Sequence, residues 1–255
     1  QPAVITRLAT LYDGTPAERV AQASDTPRPQ TLVQLQKTTA FDNAQLEQAL
    51  QTALDEHKLV PVGDDQYWAV ERFTALKTNL LTLVTAYHES YPLRLGIPRE
   101  ELRRRLETSH GLLNLTLSEH DQLIAQRDRV RHHTHTIQFS PQQQQAIAKL
   151  EVQITANPQQ PPSYKEAVAM VGEDVLQAKI MLGDIVQISS DVIFDTVDFD
   201  QMIQAILQFI DDNGAVDVKI ARDLLGTSRK YAIAILEYTD NQKITRRIGD
   251  ERVRG

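Results

Sequence analysis

The chain has 255 residues, 41% hydrophobic and 24% charged, the balance of an ordinary globular protein with room for one large or several small domains. It has no cysteine, which excludes disulfides and thiolate metal sites, and no apolar run reaches the roughly 20 residues that a bilayer crossing needs. With 27 Lys and Arg against 34 Asp and Glu, a net charge of −7, and no signal-peptide pattern, it reads as a soluble, cytoplasmic protein with no membrane partner and no generally basic surface.

That charge is unevenly spread. Residues 215–255 hold nine Lys and Arg against six Asp and Glu, a net of +3, which leaves the rest of the chain at −10. An acidic body with one basic end implies a local site for a polyanion; the alternative is an Arg-rich but merely solvated surface.

In chain order, TPAERVAQAS opens a helix with Thr15 as its cap and Pro16 at the first helical position. DNAQLEQALQTALDEHK sets Leu46, Ala49, Leu50, Ala53 and Leu54 on one helical stripe. In LVPVGDDQYWAV two β-prone runs flank Gly63-Asp64, a hairpin signal, with Tyr67 and Trp68 read as core packing. A long helix then runs through ERFTALKTNLLTLVTAYHES and stops before Pro92. The next begins at Pro98, with Glu100–Arg104 and Glu101–Arg105 as i,i+4 pairs, so its arginines read as a solvated face more than as a second basic patch.

RVRHHTHTIQF is expected to form a short strand pair. On a strand His133 and His135 point the same way, but no third ligand accompanies them or His132, so no metal is assigned. Gln142–Gln145 starts a helix. TANPQQPPSYKEA, with Pro158, Pro161 and Pro162, has the composition of an interdomain linker. Between Gly172 and the strand at Ile185 the chain is expected to be too short for a full helix. DIVQISSDVIF is a further strand pair.

The tail repeats the pattern of the start. SRKYAIAILEYTDNQK is a helix, and ITRRIGDERV is two strands about a second Gly-Asp pair, Gly249-Asp250. Gly63 and Gly249 lie 186 positions apart, three times 62, a period that suits a small domain repeated along the chain. The expected fold is therefore mainly α with small β wings (α+β): four tandem winged-helix modules in an elongated array. Their boundaries are placed at 1–70, 71–139, 140–197 (short or incomplete) and 198–255.

In the last module VKIARDLLG is the first helix of a helix-turn-helix, with Gly226 at its C-cap, and Thr227 or Ser228 caps the next helix. Arg229 and Lys230 then fall in a first turn that is already partly positive, which costs stability unless an anion arrives. With Gly249-Asp250 as the turn, Arg247 pairs with Arg252 and Thr245 with Arg254. Arg247, Arg252 and Arg254 share one face, opposite Ile248 and Val253, and like charges directly across a ladder repel. Both placements point to a sugar-phosphate backbone; the other reading is that Glu237, Asp240 and Glu251 neutralise these arginines. Charge alone does not choose between DNA and RNA.

YHESYPLRLGIPREELRRRL (87–106) and ARDLLGTSRKYAIAILEYTDNQKITRRIGDERV (221–253) resemble the C-terminal extension of the bacterial selenocysteine-specific elongation factors, the SelB family. RLATLYDGTPAERV and LVPVGDDQYW are similar to the start and end of that extension's first module. The resemblance implies four winged helices whose last member binds the selenocysteine insertion hairpin of mRNA. It implies an RNA-binding surface at Thr227, Ser228, Arg229, Lys230, Arg246, Arg247 and Arg252, to which the facing argument above adds Arg254. It also implies as partners the ribosome and the GTPase and tRNA-binding domains of the same factor. The sequence contains no GxxxxGK[ST] loop, no nucleophile–His–acid group and no paired carboxylates, so it is read as neither an enzyme nor a cofactor binder. Two other readings stay open: a DNA-binding winged-helix regulator, and a protein-interaction scaffold.

Overall fold

The computed structural model describes residues 13–63 and 65–255. Asp64 of the first Gly-Asp turn, and RLATLY of the first resembling stretch, lie outside the described residues. The chain falls into two compact units. One takes the described residues up to Tyr91 together with Gly96–His135, and the other takes Pro92–Leu95 with Thr136–Gly255.

In the first unit, α1 (Pro16–Ala23) starts from a capping box in which the Thr15 hydroxyl accepts from the Glu18 N–H and the Glu18 carboxylate accepts from the Thr15 N–H. Capping boxes also start α2 (Leu32–Thr39) and α3 (Asn43–Asp55), from Thr31 with Gln34 and from Asp42 with Gln45. The expected stripe of α3 packs inward: Leu46, Ala49, Leu50 and Ala53 join Val20 and Leu35 in one core. Strands β1 (Gln30–Thr31), β2 (Leu59–Pro61) and β3 (Gln66–Ala69) pair antiparallel in the order β1-β3-β2. Trp68 is buried and its indole N–H donates to the Thr26 carbonyl at 2.8 Å, so it serves the core as expected.

Strand β3 continues without a connecting residue into α4 (Val70–Ser90). After it come β4 (Ile97–Pro98), α5 (Arg99–Arg105), α6 (His110–Ser118), β5 (Leu123–Gln126) and β6 (Arg129–His132), with sheet order β4-β6-β5. Leu80, Val84, Ile97, Leu102, Leu113 and Val130 form their core.

Two expectations are corrected here. The hairpin is β5–β6, turning at Arg127 with φ +52°, so RVRHHTHTIQF supplies only one strand, and His133 and His135 lie beyond it. The imidazoles serve the fold instead: His133 Nδ1 lies 3.1 Å from the Gln122 carbonyl, and the His135 ring stacks on His88 with centroids 3.6 Å apart. On α5, Glu100 pairs with Arg103 and not with Arg104, while Glu101 pairs with Arg105 as expected.

In the second unit, α7 (Pro141–Ala156), α8 (Tyr164–Val171) and α9 (Glu173–Leu182) share a core through Leu150, Ile154, Ala167 and Leu176. The proline-rich 157–163 stretch therefore joins two helices of one core and does not separate domains. The helix expected to lack room is present: Gly172, at φ +86°, ends α8 and starts α9 with no intervening loop, so ten residues fit. Strands β7 (Ile185–Gln187) and β8 (Ile193–Asp195) pair, and β8 continues directly into α10 (Thr196–Asn213). Then come β9 (Val216–Asp217), α11 (Val218–Leu225), α12 (Arg229–Asn241), β10 (Thr245–Ile248) and β11 (Glu251–Arg254), with sheet order β10-β11-β9. Phe199, Ile206, Ile210, Val216, Ile235 and Leu236 fill this last core.

The class is α+β, mainly helical with small antiparallel sheets. Among the described residues no helix is long and apolar enough to cross a membrane.

Candidate nucleic-acid interface

The turn between α11 and α12 is made by Gly226, left-handed at φ +61°, whose N–H returns to the Arg222 and Asp223 carbonyls. Ser228 is the N-cap of α12, but its side chain bonds none of the helix amides. The first turn thus keeps its donors and the positive end of its dipole available to an anion.

The eight side chains expected to form the site fall into distinct groups. Arg229 and Arg246 are exposed, and neither side chain has an ion pair or hydrogen bond among the described residues. Arg247 is also exposed; its Nε donates to the Gly249 carbonyl at 2.9 Å and its guanidinium lies 3.9 Å from Asp250, which holds it at the hairpin tip. Ser228, half-buried, directly precedes Arg229 at the start of α12.

The other four each have a partner within the protein. Thr227 is buried and donates its hydroxyl to the Gln159 carbonyl. Lys230 Nζ lies 2.6 Å from Asp191 Oδ2, and that hydrogen bond raises the ammonium pKa above the usual lysine range. Arg254 pairs with Asp211 on α10. Arg252 is 3% exposed, with Nε 3.2 Å from Asp240 Oδ2.

The wing face therefore differs from expectation. The register is as read, Arg247 opposite Arg252 and Thr245 opposite Arg254. However, Arg252 turns inward onto Asp240 of α12, and Arg254, though its side chain stays exposed, pairs with Asp211 of α10. Two guanidiniums directly across a ladder repel, and burying one on an acid while the other swings to the tip relieves that repulsion. The sequence points to Asp240 as a neutralising acid but not to Asp211. It gives no sign of Asp191, Gln159 and Pro161, which meet the start of α12 from the α7–α8 connection and the β7–β8 hairpin. No spacing rule reaches them, because they lie 39 to 70 residues away along the chain.

Residues 208–254, which hold α11, α12 and the wing but not Gln159, Pro161 or Asp191, match the family described as "Elongation factor SelB, winged helix", and residues 81–119 match a second family of the same description. These two stretches are similar to winged-helix domains of SelB. The "Selenocysteine-specific elongation factor" of Desulfomicrobium baculatum is 26% identical over 201 residues, 74% of this chain and 32% of that protein, so the chain spans about a third of its length. The crystal structure of bacterial selenocysteine-specific elongation factor EF-Sec shares the fold, with a TM-score of 0.55 at 16% identity over 99% of this chain and 40% of that one. The mRNA-binding domain of SelB from E. coli, solved in complex with SECIS RNA, is 26% identical and aligns over 46% of this chain and 98% of its own, at a TM-score of 0.38.

Proposed function

We propose that residues 198–255 bind a compact mRNA hairpin, the selenocysteine insertion element, as the RNA-reading part of a selenocysteine-specific elongation factor. One observation carries this reading: the stretch that matches a SelB winged helix also holds Arg229, Arg246 and Arg247, exposed cations at the two places where a winged helix meets a sugar-phosphate backbone. The uncapped first turn of α12 adds amide donors for a phosphate. Three such cations make a small footprint on an acidic chain, which favours a folded loop over an extended duplex.

In this reading Arg229, Arg246 and Arg247, with Ser228, contact the RNA. Lys230 reaches it at the margin of its Asp191 pair, and Thr227, Arg252 and Arg254 hold the recognition helix and wing in place. The ribosome and the GTPase and tRNA-binding domains of the factor are the further partners, and the work is cytoplasmic. GTP hydrolysis belongs to those other domains, so this chain acts as a tether and not as an enzyme. The four-module division at 70, 139 and 197 belongs to the same proposal.

The test is binding of the chain to a short hairpin taken from just downstream of an in-frame UGA codon, against a matched DNA duplex, over a salt series. Hairpin-selective binding with a shallow slope is expected. Equal binding to both, with a steep slope, would favour a DNA-binding winged-helix regulator.

A further inference from the structure

The start of α12 is not a free surface of its own winged helix. Three contacts tie it to residues before α10: Thr227 donates to the Gln159 carbonyl, Lys230 pairs with Asp191, and the Tyr231 hydroxyl donates to the Pro161 carbonyl at 2.6 Å. Tyr231 is buried, and its ring packs edge-on against Phe194 of β8. Of these contacts, only the one at Lys230 lies in solvent, with the two side chains about half exposed (52% and 49%).

Asp191 is set firmly for this role. It sits in the β7–β8 turn, where the Ser189 hydroxyl accepts from the N–H groups of Asp191 and Val192, and its own carbonyl accepts from the Tyr164 N–H at the start of α8. Its carboxylate therefore stands beside the cationic first turn of the recognition helix, at the position a phosphate bound by Lys230 would need. Glu166 adds a second negative field on the same ammonium.

We infer that Asp191 is a specificity-determining residue of the RNA site: as a built-in counter-ion on Lys230, it penalises any polyanion that offers charge alone. A ligand that engages Arg229 and the wing by shape and base contacts makes up for displacing or sharing that ion pair. A ligand that brings only phosphates does not. This inference rests on the RNA-binding reading above and adds to it a discriminating residue outside the matched winged helix.

The experiment uses the whole chain and three variants, Asp191→Asn, Lys230→Met and the double change. Each is titrated by fluorescence anisotropy with the UGA-proximal hairpin and with poly(U) over a salt series. Asp191→Asn is expected to tighten poly(U) about two- to fivefold, the worth of one solvent-exposed ion pair. Its salt slope should rise by about 0.7, one more single-strand phosphate neutralised. Hairpin affinity should move less than poly(U) affinity, so selectivity falls. In the Lys230→Met background the same change should leave the salt slope unmoved, because it frees no cation.

The asparagine keeps the backbone bonds to Ser189 and Tyr164, and an unchanged thermal melt checks the fold. Poly(U) binding that is unmoved, weakened, or tightened equally with the hairpin overturns the inference and leaves the RNA reading intact. A wild-type chain with no preference for the hairpin overturns the RNA reading, and this inference with it.

Discussion

Arg247 and Arg252 are direct partners across the β10–β11 ladder, yet the first stands exposed at the hairpin tip and the second is 3% exposed against Asp240. Their roles are therefore opposite. Arg252→Ala should destabilise the chain by about 2 kcal/mol, because it leaves Asp240 with only the Thr245 hydroxyl for company in a half-closed site. Arg247→Ala should change stability by less than about 0.5 kcal/mol. Urea denaturation of both variants separates them; equal losses would mean that the Arg252–Asp240 pair does not hold the wing.

The exposed cations should show the complementary pattern. Arg229→Ala and Arg246→Ala should each weaken hairpin binding by about 1–2 kcal/mol with the melting temperature unmoved, and each should lower the salt slope by roughly one phosphate's worth. Titration at several salt concentrations reads both effects. Wild-type affinity in both variants would move the binding surface elsewhere.

His88 makes the first unit sensitive to acid. Burial first, then the nearby His135, His132 and Arg131, lower its pKa to about 4, and its neutral Nε2 accepts the His132 N–H at 3.1 Å. The unfolded chain takes up this proton near pH 6.5, whereas the fold resists it until about pH 4. Stability is thus flat above pH 6.5 and falls as pH drops through that window, by about 2 kcal/mol between pH 7.5 and pH 5. Urea midpoints at these two pH values measure the drop. His88→Gln should flatten the profile, and an unchanged slope in that variant would assign the acid sensitivity to other groups, such as His120 and His132, whose pKa values burial also lowers.

Gly96 is required by space. A Cβ there would stand 2.4 Å from the Val130 carbonyl oxygen and 2.9 Å from its carbon, and these are backbone atoms of the central strand of a sheet. Gly96→Ala should cost about 2 kcal/mol by forcing β4 and β6 apart. Thermal melts compare it with Gly111→Ala, where a Cβ meets nothing within 4 Å. A loss no greater at Gly96 would mean that the sheet edge yields freely.

Much of the architecture was legible because its signals are local. Thr15 with Pro16, the inward stripe of α3 and the register about Gly249-Asp250 all depend on neighbours within a few residues. Where reading failed, the deciding contact was distant or the turn was atypical. The β5–β6 hairpin turns on Arg127 at positive φ, a residue that gives no turn signal, so alternation in RVRHHTHTIQF drew the strand pair too late. The run from Gly172 to Ile185 looked short only on the assumption of a loop, and one glycine replaces that loop. At the interface, counting arginines located the basic end. It could not tell which of them Asp211, Asp240 and Asp191 had already claimed, since nothing local to Arg254 or Lys230 announces an acid 43 or 39 residues away.

Thr227 and Tyr231 reach main-chain oxygens at positions 159 and 161, and a carbonyl oxygen is present whatever side chain those positions carry. Relatives can therefore change residues in that stretch without loosening its hold on the recognition helix. A search for paired substitutions between the two segments would pass over both contacts. The lysine–aspartate pair beside them has no such freedom, and it is where mutations on the two sides would have to keep step.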